Sequence, residues 1–156
     1  MTRLAPILLC VLATGLVSCG GDDDDAPSRQ EFADKANEIC REASQSLENV
    51  GDNADSPDEI ADAVDRVIEK SRDAMDDLSN LERPEGDAGE TAQEFIDATR
   101  SEIQDKGIPA LEDLRDAIKK GDQQAAQEAA QRLQGISTEG SQKAASKLGA
   151  DECAEN

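Results

Sequence analysis

The chain of 156 residues contains no histidine, tryptophan or tyrosine, and Phe32 and Phe95 are its only aromatic residues. Without imidazole, His-ligated metal or haem sites and Ser-His or Cys-His catalysis are excluded. With two aromatic rings, the anchors that usually dominate tight protein interfaces are nearly absent. Positive charge is scarce as well: 16 Lys and Arg stand against 36 Asp and Glu, a formal net charge of −20. Such a surface repels phosphates and anionic headgroups, so nucleic acid is not an expected partner and a basic or cationic one is. No stretch alternates apolar and polar residues as a half-buried strand would, and no repeat of fixed period occurs.

Long apolar runs are limited to one, Leu4 to Val17, which is too short to span a bilayer as a helix. It follows Arg3 and precedes Leu16-Val17-Ser18-Cys19-Gly20. A positive start, an apolar middle and a small residue before the cut are the parts of a signal peptide. The last five residues resemble the lipobox of bacterial lipoproteins, which implies cleavage before Cys19 and a diacylglyceryl group on its thiol. The expected layout is therefore a lipoprotein signal peptide over 1–18, a lipidated Cys19 with an acidic tether over 19–27, and a folded domain over 28–156. The expected location is the outer side of the cell membrane, with the lipid anchor as the contact to the bilayer. Asp22 to Asp25 lack the glycine turn and spaced ligands of a calcium loop, so no metal is assigned to them. A segment so charged buries nothing and is expected to stay disordered, reaching about 25 to 30 Å at full stretch.

The remaining residues use a helix-forming alphabet of Ala, Leu, Glu, Gln, Lys and Arg. Ser28 with Glu31 forms a capping box ahead of a first helix whose apolar stripe is Phe32, Ala36, Ile39, Ala43, Leu47 and Val50. Ser56-Pro57-Asp58-Glu59 opens a second, with the stripe Ile60, Val64, Val67, Ser71, Ala74, Leu78 and Leu81, widened by Ile68 and Met75. Its 3.5-residue period is that of helices in a left-handed bundle. Asp87 and Glu90 are expected to start a third helix, with Ala92, Phe95 or Ile96, Thr99, Ile103, Leu111, Leu114 and Ile118 inward. Pro109 cannot donate to the carbonyl of Asp105, which predicts a kink or break there. A fourth helix begins at Asp122 and faces inward with Ala125, Ala129, Leu133, Ile136, Gly140, Ala144 and Leu148. That face is thin, and Gly135 and Gly140 predict fraying near them.

Short connections between amphipathic helices predict an all-α fold, an antiparallel up-down-up-down four-helix bundle. Cys10 leaves with the signal peptide and Cys19 carries the lipid, so Cys40 and Cys153 are left as one disulfide of an exported protein. Counted along ideal helices, Cys40 and the end of the fourth helix sit at different heights. The terminal segment must turn back along the first helix, or the first helix must slide.

Phe32, Ala36-Asn37 and Cys40, with Leu148-Gly149 and Cys153, resemble the small secreted actinobacterial lipoproteins that pair F-x3-A-N-x-x-C with L-G-x3-C. The resemblance implies a helical cell-surface domain with a terminal crosslink, and it implies no established activity. No carboxylate pair is expected inside an apolar stripe, so acid-base catalysis is not expected, no cofactor is assigned, and the protein reads as a non-catalytic binding or interaction module. A structural spacer, or a weak cation binder using pairs such as Asp76-Asp77, is the alternative.

Overall fold

The computed structural model describes residues 26–155. The predicted signal peptide, Cys19 and Asp22 to Asp25 lie outside the described residues. Those described form helices and loops only: α1 Arg29–Leu47, α2 Pro57–Asn80, α3 Gly86–Arg100, a π-helical segment Ser101–Gly107, α4 Ile108–Lys120, α5 Gln123–Gln134, α6 Glu139–Leu148 and α7 Asp151–Glu155. None of these helices is long and apolar enough to cross a membrane.

Local chemistry sets the starts. The Ser28 N–H donates to Glu31 Oε2 at 2.8 Å while the Glu31 N–H donates to Ser28 Oγ at 3.2 Å. At α2 the N–H groups of Asp55 and Ser56 both donate to Glu59 Oε2, at 3.0 and 2.9 Å. Each reciprocal pair satisfies amides that a helix start leaves without partners. Asp122 caps α5 by accepting from the Ala125 N–H at 3.0 Å. The start of α3 differs from expectation: Glu85 is the N-cap residue, with no side-chain capping bond. Its position is set by packing, because the chain from Leu81 turns back with Pro84 buried against α3. Only glycine suits position 89, where a Cβ would clash with the Pro84 carbonyl oxygen.

Of the kink or break expected near Pro109, the break does not occur. The chain runs as one rod from α3 through the π segment into α4, with the Ile108 N–H donating to the carbonyl of Ile103, five residues back. Widening the turn by one residue relieves the proline, which has no N–H for an α-helical bond. The extra residue also turns the face that follows. Ile108, Ala110 and Ala117 are buried in α4, whereas the expected Leu111, Leu114 and Ile118 are half-buried. The expected fourth helix is divided at 135–138, where Gly135 ends α5, and its inward set shifts from Gly140 to Ser141, Ala144, Ala145 and Leu148. On α2, Ile60 is 41% exposed, and Ala61, Ile68, Met75 and Leu78 form the buried line.

The helices pack as antiparallel neighbours. α1 lies on α2, α2 on α4, α4 on α5 and α3 on α6. Lys147 pairs with Glu94 at 3.3 Å and Arg132 with Asp113 at 2.8 Å, bridging the α3–α4 rod to α6 and α5. The main core sits at one end, around Phe32, Met75, Leu78, Phe95, Ile96 and Leu148. At that end Gly149 takes φ +85°, a left-handed conformation that glycine adopts without steric cost, and α7 folds back along α1. Asn37 secures the return: its Nδ2 donates to the Gly149 carbonyl at 3.3 Å, and its Oδ1 accepts from the Glu152 N–H at 2.9 Å. The reversal brings Cys40 and Cys153 into a disulfide with Cα atoms 5.3 Å apart. Of the two ways to close the gap in height, the chain uses the turned-back terminus.

Candidate functional site

Between the main core and the far end of the molecule the helices do not fill the space they enclose. A partly open cleft of about 400 Å³ lies between α1, α2, the π segment and the junction of α5 with α6. Its walls are mostly aliphatic, with Ile39 and Leu47 on α1, Ile108 and Leu111 on α4, and Leu133 and Ile136 at the end of α5. Small residues at facing positions, Ala43, Ser71, Ala74 and Gly107, create the room. An apolar cleft of this size with a few converging polar groups is the usual form of a small-molecule site.

Both irregular stretches of the fold border it. The π segment contributes Glu102, Ile103 and Gly107, and the interruption at 135–138 contributes Ile136 and Thr138. They face each other because the rod and the α5–α6 pair run antiparallel. Single π turns within α-helices are frequent at functional sites.

Glu102 is the one charged residue lining the cleft, and it is only 9% exposed. Ser141 holds it from α6: the Ser141 Oγ–H donates to Glu102 Oε2 at 2.5 Å, and the Ser141 N–H lies 3.4 Å from Oε1. The carboxylate thereby reaches an amide in the first turn of α6, where Thr138 makes no side-chain capping bond. A negative group is favourable at that helix end. An ionised carboxylate offers about four acceptor positions, and Ser141 occupies two, so acceptor capacity remains.

The sequence reading concerned carboxylate pairs; what stands in the apolar face is a single carboxylate, Glu102, held by Ser141. Glu102 follows Phe95 by seven residues and Thr99 by three, on the same face of the rod, and all three are buried. That spacing was available in the sequence; the neighbouring apolar Ile103 drew the stripe past it. Ser141 gave no signal before the interruption of the fourth helix was known.

Cys40 and Cys153 lie together, and both border the cleft, so the crosslink forms part of its wall. Asp76 and Asp77 are exposed on α2 and converge with no third ligand; among the described residues no group of three or more Cys, Asp or Glu side chains is placed to hold a metal ion. Comparison of the chain with protein-family models, with curated proteins and with solved structures finds no match.

Proposed function

We propose that this is a non-catalytic binding module that holds a small, largely apolar molecule between its helices, at the outer face of a membrane. The observation that carries the reading is the aliphatic cleft of about 400 Å³ with one buried carboxylate in its lining. A spacer needs no such space. In a chain with two aromatic residues, leaving a cleft beside the core forgoes apolar contact that would otherwise stabilise the fold.

The anchored part of the reading rests on the sequence. Cys19 carries the lipid, 19–27 is the tether, and the domain from 28 onward is an up-down-up-down bundle of four members, with the α3–α4 rod and the α5–α6 pair each counting as one. The Cys40–Cys153 disulfide fits an oxidising compartment outside the cytoplasm. The acidic exterior keeps the domain off anionic headgroups and draws cationic partners toward it.

The test is titration of the full chain with prodan, a neutral solvatochromic naphthalene dye. One saturable site is expected, with emission shifted to the blue and lost in Ala43→Trp, where the new ring occupies the cleft. No saturable binding, or equal binding by the filled variant, overturns the reading.

A further inference from the structure

Three of the hydroxyls lining the cleft already spend their protons on acceptors of the protein. The Ser44 Oγ–H donates to the Cys40 carbonyl at 2.9 Å, the Thr99 Oγ1–H to the Phe95 carbonyl at 2.8 Å, and the Ser141 Oγ–H to Glu102. A hydroxyl has one proton, so these three have only acceptor capacity left. Ser71, Thr138 and Gln142 keep donors but carry no charge, and no Lys or Arg lines the cleft among the described residues. Glu102 supplies the only charge there, and that charge is negative.

A ligand with a carboxylate or phosphate head would meet repulsion from Glu102 and no cation to offset its loss of water. A neutral apolar ligand would leave the free acceptor positions of Glu102 without a partner. An ammonium group supplies three donors and the opposite charge. The space admits a body of at least about a dozen heavy atoms, taking ~30 Å³ for each as in liquid water. We propose that the ligand is a cationic amphiphile, a short alkylamine in its simplest form, with its ammonium on Glu102 and its chain against Ile39, Leu47, Ile108 and Leu133. The net charge of −20 favours the encounter with such a cation. This inference rests on the cleft being a ligand site, as proposed above.

The experiment displaces prodan from the full chain with three ligands of equal chain length, octylamine, octanol and octanoate. It is run in about 0.5 M salt, where the pull of exposed carboxylates is screened. Octylamine is expected to displace the dye at about tenfold lower concentration than octanol, the size of one charge-assisted hydrogen bond, with octanoate weakest. Glu102→Gln, which keeps an acceptor for Ser141, should remove the advantage of the amine over the alcohol. Asp76→Asn, which removes an exposed carboxylate, should leave it. If octanol or octanoate matches the amine, or the advantage survives Glu102→Gln, the ligand class is wrong while the cleft reading stands. If prodan itself does not bind, both fall. Should Glu102→Gln lose its helical circular dichroism, the ranking of the three ligands on the wild-type chain decides.

Discussion

The two ends of the molecule are built from different materials. At one end the N-terminal half of α1 meets α3, α6 and α7 around Phe32, Phe95, Ile96 and Leu148, with the disulfide alongside. At the other, α2, α4 and α5 meet through Ala61, Ala63, Ala110, Ala117 and Ala129, with Ile68 as the large member. The alanine end is laced on its outside by ion pairs: Arg115 and Lys119 both hold Asp65, at 2.8 and 3.2 Å, and Arg72 holds Glu112 at 2.8 Å. Buried rings and a covalent link stabilise by kilocalories, whereas alanine faces and exposed ion pairs contribute little each. The cleft lies where the one gives way to the other. Its crosslinked side is a fixed wall, and its far side can adjust with little loss.

The contrast can be broken from the strong end first. Cys153→Ser removes a link between residues 113 apart in sequence and should cost about 4 to 5 kcal/mol in the loop-entropy account. Cys40→Ser should cost the same, and the double variant no more, in urea unfolding at equilibrium. Additive losses would show that the two sulfurs do not act as one link. Phe32→Ala should follow with a loss of about 4 kcal/mol, since the ring is fully buried in the main core. Ala129→Gly at the alanine end should cost only about 1 kcal/mol, the backbone difference within a helix. A larger loss there than for Phe32→Ala would reverse the comparison.

Charge effects are smaller still. Asp65→Asn removes the negative charge shared by Arg115 and Lys119, and its modest destabilisation should disappear in 1 M salt, read from melting temperature at low and high ionic strength. The hydrogen bond from Arg115 also holds the Asp65 carboxyl below its ordinary value, so this contribution is present above that value and lost as pH falls through the lowered one. Glu31 and Glu59 behave alike. Hydrogen bonds from Ser28 and Ser56 lower both carboxyls from 4.5, the unfolded chain takes up protons first, and stability falls as pH drops below that value. Glu59→Gln keeps the form of the capping box and should flatten this acid slope, measured as the urea midpoint against pH. An unchanged slope would mean that the cap at α2 is not among its sources.

What was legible in the sequence is what local chemistry decides. Ser28, Ser56 and Asp122 cap the helices they were expected to open. The Cys40–Cys153 pairing was legible from the count of cysteines left in a chain expected to be exported. The cleft was not. It depends on a widened turn before Pro109 and on the end of α5 at Gly135 coming to the same height, a coincidence set by the register between two rods and not by any one segment. Glu102 was within reach at Phe95 plus seven, but periodicity read through apolar residues alone prefers Ile103. Ile60 failed as an inward position for a related reason: the stripe of α2 is wide enough that its buried line could be drawn one residue over, through Ala61 and Ile68.

The bond between Cys40 and Cys153 also governs how a pull would travel. Tension applied between Ala26 and Glu155 passes down α1 to Cys40, crosses the sulfurs and leaves through the last residues of α7. Everything from Arg41 to Glu152 hangs off that route as a closed ring. A pull at Ala26 can therefore strain the first helix while four of the walls around the hollow, on α2, the π segment, α4 and α5, lie off the covalent path of the force.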